Sequence, residues 1–272
     1  MIEAINEMFS FSFINRAILV GVLVSLCAAL LGVSLVLKRY ANIGDGLSHV
    51  GYGITTIAIA FGFSPLPIAI PGVIIVAIIL LKIGNNHKIK SDSAIALISS
   101  SALAIGVAIT SATTGMNTDV CNFMFGSILA MNTSDVILSI VVSIIVLILF
   151  IVYYRKLFAV TFDENFSKAI GLKVERYTSL IAILTAVVIV VGMRMMGTLL
   201  ISSIVIFPAL TSMRVFKSFK GVVISSGIIS IVCFLIGIFL SYIYNISTGA
   251  MIVITNLALF ALFTIFSKII KE

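Results

Sequence analysis

Residues 13–39 read FINRAILVGVLVSLCAALLGVSLVLKR. No residue between Arg16 and Lys38 is charged, so residues 17–37 form an unbroken apolar run. As a helix rising 1.5 Å per residue, that run covers about 30 Å, the thickness of a bilayer's hydrocarbon core. The basic pair Lys38–Arg39 closes it, as expected where a span reaches a cytoplasmic face.

The rest of the chain repeats this design. Of its 272 residues 61% are hydrophobic and only 10% charged, and the mean hydropathy is +1.29. Soluble domains are about 45–50% apolar and about 25% charged. Such a composition excludes a soluble enzyme, an extended nucleic-acid binder and a disordered chain. The expected class is an all-α integral membrane protein, a polytopic helical bundle forming one transmembrane domain over residues 1–272. Spans are predicted at residues 17–37, 46–62, 66–83, 93–113, 135–154, 178–193, 198–213, 221–243 and 250–267. Only the Gly192–Arg194–Gly197 turn interrupts 178–213, so eight spans is the alternative to nine.

Charge favours nine. With nine spans, fifteen of the seventeen basic residues fall on one side, and only Arg16 and Arg194 on the other. Merging the doubtful pair spoils this alternation. The positive-inside rule makes the crowded side cytoplasmic, with the N-terminus outside and the C-terminus inside. The acidic start MIEAINEMFSFSFINR has no secretory-type cleavage site, so the first run is expected to be retained. Residues 119–133 are too short for a span and predict a re-entrant or surface helix on the external side. Residues 155–177 predict a cytoplasmic loop carrying a short helix.

Few polar residues remain inside the spans. The most informative segment is Asn42-Ile43-Gly44-Asp45-Gly46-Leu47-Ser48-His49. Asp45 and His49 are i and i+4 and share a helix face. A carboxylate oxygen and an imidazole nitrogen suit a borderline divalent metal such as zinc or manganese. Ser48 and Tyr52 are polar neighbours, and Gly44 and Gly46 permit a sharp start or a close backbone approach. The alternative makes Asp45 a helix cap and His49 a core histidine bonded within its own helix. Ionisable groups within a membrane are costly and generally functional, which sets metal or proton handling level with that alternative.

Other polar residues have plainer readings. Asp92, Asp119 and Asp135 each suit a helix start. His87 fits a solvated loop, Arg194 an external interface, and Pro208 a kink inside its span. Cys27, Cys121 and Cys233 form no CxxC pair and read as small apolar residues. Residues 162–171 (FDENFSKAIG) suit a short amphipathic helix capped by Asp163, ended by Gly171 and carrying Phe166 and Ile170 on one face. It suits either a membrane surface or a docking partner. No nucleotide-binding, metalloprotease or hydrolase signature (GxxxxGK[ST], HExxH, GxSxG) is present.

Together these stretches resemble the permease subunits of metal-uptake ABC transporters, the zinc and manganese group. The likeness is carried by residues 13–39, by IGDGLSHV at 43–50, by TDVCNFMFGSILA at 118–130 and by the 162–171 segment. GTLLISSIVIFP at 197–208 and TGAMIVI at 248–254 complete it. The resemblance implies a homodimeric pathway for an ATP-driven importer, zinc being the first expectation, with manganese or iron as the alternative. It implies no resident cofactor and no catalysis by this chain. Implied partners are a cytoplasmic ATP-binding subunit, an extracellular metal-binding protein, a second copy of the permease and membrane lipid, in a bacterial cell membrane, with no nucleic acid. Asp45 and His49 match the family's metal-contacting positions, and Asp163, Glu164, Phe166 and Gly171 its ATPase-coupling motif. Gly46, Ser167 and the Asp-free turn 245–249 depart from the family pattern. A proton-driven secondary carrier is the other class, but Asp-x-x-x-His occurs once, without the mirrored partner of an inverted repeat. A siderophore or cobalamin permease would be longer and would not need the pair.

Overall fold

The computed structural model describes residues 12–84, 91–113, 124, 126, 132–198 and 200–269. Among them the regular structure is entirely helical. In chain order the helices are α1 (Ser12–Leu37), α2 (Ile43–Ala60), α3 (Pro65–Gly84), α4 (Ser91–Ala112), α5 (Thr133–Phe162), α6 (Glu164–Ala169), α7 (Val174–Met196), α8 (Ile201–Val215), α9 (Phe219–Tyr244) and α10 (Thr248–Ile269). Seven of them are long and apolar enough to cross a membrane. The more polar α2 and the shorter α8 bring the count among the described residues to nine helices of fifteen residues or more, roughly consistent with the expected eight or nine spans.

The disputed break is real. Gly197, with φ of 86°, ends α7. A side chain there would strain the left-handed backbone that the turn requires. Gly126 packs so closely against this break that a Cβ on it would collide with the Met196 carbonyl carbon and the Gly197 nitrogen. The predicted re-entrant helix at 119–133, the Asp119 cap, Cys121 and the His87 loop otherwise lie outside the described residues.

The predicted loop at 155–177 needs correction. Helix α5 runs on to Phe162, eight residues past the expected end of its span. Leu157, Val160 and Thr161 stay buried while Arg155 and Lys156 are exposed. An amphipathic extension of this kind continues the helix beyond the apolar zone. Lys156 lies 5.7 and 5.6 Å from the rings of Tyr153 and Tyr177.

Helices α1 and α7 are the central ones, with α1 against α5, α7, α8 and α9. Small residues set the approach. A Cβ on Gly32 would collide with the Val205 carbonyl oxygen of α8. Ser226 and Ser230 of α9 donate to the carbonyls of Ala29 and Ser25 on α1, at 3.3 and 2.9 Å. Lipid tails are as apolar as leucine, so close packing and hydrogen bonds of this kind hold membrane helices together.

Arg194, expected at an external interface, has a largely buried side chain, 2.8 Å from Asp135 at the start of α5. Asp135 is not the cap itself. Asn132 is the N-cap, and Asp135 accepts from its backbone N–H at 3.3 Å in a capping box. Pro208 sits inside α8.

Candidate metal-pathway site

Helix α2 carries the site. The chain leaves α1 through a Schellman turn, in which Arg39 N–H donates to Val36 and Tyr40 N–H to Leu35. Arg39 adopts the left-handed conformation there, with φ of 61°. The N-cap of α2 is Asn42, so the cap position proposed for Asp45 belongs to another residue. Asp45 stands in the first helical turn. Its side chain is 54% exposed, and that of His49 only 11%.

The two share a face, with His49 Nε2 3.7 Å from Asp45 Oδ2. That is too long for a hydrogen bond. His49 Nδ1 is buried without a hydrogen-bond partner among the described residues. Among the described residues His49 thus makes no hydrogen bond within its own helix. Two donors about 2.1 Å from one ion at a tetrahedral angle lie about 3.4 Å apart. The observed 3.7 Å is within a small rotamer adjustment of that geometry.

Asp45 is only six residues past Arg39. A Cβ on the adjacent Gly44 would lie 3.8 Å from Ser202 Cα, in the first turn of α8, and 4.0 Å from Ile189 Cδ1 of α7. The start of α2 is therefore packed against α7 and α8. Gly46 lets α4 approach, since its Cβ would meet Ile95 Cγ2 at 2.6 Å.

The same face continues upward through Ser48, Tyr52, Thr55 and Thr56, all buried. Their hydroxyls are largely occupied by the helix itself. Ser48 donates to the Asp45 carbonyl at 2.8 Å, and Thr55 and Thr56 both donate to that of Tyr52. The threonines were missed in the sequence, although their i+10 and i+11 spacing from Asp45 places them on one face. Among the described residues no three His, Cys, Asp or Glu side chains gather, so one chain offers two strong donors.

At the basic end the short helix forms as expected. Asp163 caps α6, accepting from Phe166 N–H at 2.9 Å. Gly171, with φ of 83°, closes it, and Leu172 N–H reaches back to Ser167. Phe166 and Ile170 are exposed. Glu164 is bridged to Lys38 at 2.5 Å. Neither the sequence pattern nor the spacing pointed to that partner.

A family model for the ABC 3 transport family matches residues 10–267. The chain belongs to the ABC 3 transport family. Among curated relatives in this family, the manganese import system permease protein ScaB of Streptococcus gordonii is 31% identical over 95% of this chain and 92% of its own. The high-affinity zinc uptake system membrane protein ZnuB of Haemophilus influenzae is 29% identical over 93% and 97%. The solved structure of PsaBC from Streptococcus pneumoniae in complex with Fab superposes with a TM-score of 0.87 at 30% identity. The match covers 97% of this chain and 95% of that one.

Proposed function

We propose that this chain is the membrane permease of an ATP-driven importer of a divalent transition metal. Asp45 and His49 would hold the ion in passage, and α6, with Asp163, Glu164, Phe166 and Gly171, would receive the ATPase. The observation that carries this reading is the orphaned, buried His49 imidazole beside an exposed carboxylate, set within the bundle of a chain of this family. Two donors make a weak site, which suits a conduit that must release its cargo. A second copy of the permease would supply a second pair, giving four. Relatives named for manganese and for zinc support both ions as cargo, and an oxygen–nitrogen donor pair accommodates either. Zinc, the first expectation, is carried forward on equal terms with manganese. A cytoplasmic ATP-binding subunit and an external metal-binding protein complete the proposed assembly. The N-terminus is placed outside by the basic bias alone.

The test is rescue of cells lacking their own importers by this chain expressed with its ATPase and binding protein. Zn²⁺ and Mn²⁺ uptake are measured separately. Uptake of at least one ion that requires all three components supports the reading. Uptake independent of the ATPase and driven by a proton gradient would assign the chain to the secondary carriers instead.

A further inference from the structure

Lys38 follows directly on α1, with its side chain 4% exposed. An ammonium withdrawn from water this far needs charged and polar partners. It has two, from distant parts of the chain: the Glu164 carboxylate of α6 at 2.5 Å and Thr178 Oγ1 of α7 at 3.1 Å. Helix α6 otherwise packs against α5 and α7, its neighbours in sequence, and buries only Ser167. A cavity of about 450 Å³ lies between α6, α3 and α7, with Lys82, Glu164, Lys168, Glu175 and Thr178 in its wall. The Glu164–Lys38 bridge ties α6 to α1 across sequence.

The connection from Lys38 into α2 is stiff. The backbone bonds Arg39→Val36, Tyr40→Leu35, Ile43→Tyr40 and Gly46→Asn42 run without a gap from the end of α1 into the first turn of α2. Burial, and then the charge of Glu164, raise the pKa of the Tyr40 phenol in the connecting turn. Asp45 is seven residues from Lys38 along this braced path.

We infer that Lys38 is a positioning residue for transport. Its bridge to Glu164 passes displacement of α6 through the 38–42 turn to the helix that carries Asp45 and His49. The inference rests on the proposed function, in which an ATPase moves α6. It assigns a role in coupling, not in metal binding, and it predicts that the charge pairing matters more than the identity of either residue.

The experiment uses the whole assembly (permease, ATPase and binding protein) in proteoliposomes, with Zn²⁺ and Mn²⁺ as probes. Uptake and ATP hydrolysis are read together. Lys38→Glu is expected to lower metal moved per ATP by about tenfold, within the usual range of coupling between sites. The reversed pair Lys38→Glu with Glu164→Lys is expected to recover most of that ratio, and Lys38→Arg to keep it. Should Lys38→Glu not reach the membrane, Lys38→Met is scored by the same ratio. An unchanged ratio in Lys38→Glu or Lys38→Met overturns the inference. So does a parallel fall in uptake and hydrolysis that the reversed pair fails to restore, since that is the behaviour of a plain structural anchor. If the unaltered assembly hydrolyses ATP yet moves neither ion, the proposed function fails, and this inference with it.

Discussion

The Arg194–Asp135 pair offers the sharpest test of how the bundle is held. The guanidinium and carboxylate are 2.8 Å apart, with side chains 11% and 17% exposed. At an effective dielectric near 20 their attraction is about 6 kcal/mol, most of which offsets the cost of taking both charges from water. The net value of the intact pair is therefore small, but the cost of breaking it is not. Arg194→Met leaves the carboxylate buried beside an apolar chain and should destabilise the protein by about 3–5 kcal/mol. For a chain of this size that lowers the melting midpoint by roughly 6–20 °C. The assay is thermal aggregation of detergent-solubilised protein, followed by size-exclusion chromatography. Asp135→Asn should lose a similar amount, since it also weakens the bond from Asn132 N–H. The double change Arg194→Met with Asp135→Leu should cost less than either single change, because no charge is left stranded. A single-variant shift below about 2 °C, or strict additivity in the double variant, would show that the pair is solvated and refute the reasoning.

Other tests probe packing and capping. Gly32→Ala drives a methyl into the Val205 carbonyl and should cost about 3 kcal/mol in the same thermal assay. Gly62→Ala, at φ of 73° with open space around it, should cost only about 1–2 kcal/mol of backbone strain. Asp163→Ala removes the cap of α6. It should speed amide exchange across residues 164–169 by about five- to tenfold, the equivalent of roughly 1 kcal/mol, and leave global stability unchanged. Cys27 and Cys233, both 1% exposed, should resist maleimide in the native protein and react on unfolding.

Much of this was readable in the sequence because it depends on short-range pattern. An apolar run's length marks a span, so the helical bundle, and the break at Gly197 that the charge bias favoured, were legible there. The i, i+4 face of Asp45 and His49 and the Asp163 cap are likewise properties of a few neighbouring residues. What escaped was pairing across the bundle. Arg194 and Asp135, or Lys38 and Glu164, are distant in the chain, and each alone looks like an ordinary cap or loop charge. The packing of the start of α2 against α8 escaped for the same reason, since a Cβ on Gly44 would lie 3.8 Å from Ser202. The run-on of α5 past residue 154 was missed because basic residues on one face of an amphipathic helix look like the start of a loop.

The account's central claim is that Asp45 and His49 handle the transported ion. Its most direct test is ATP-dependent Zn²⁺ and Mn²⁺ uptake by reconstituted His49→Ala and Asp45→Ala permeases, each assembled with its ATPase and binding protein. The account predicts uptake near background in both variants, with melting temperature and ATPase association as in the unaltered protein. Uptake of either ion at the unaltered rate by His49→Ala would contradict it.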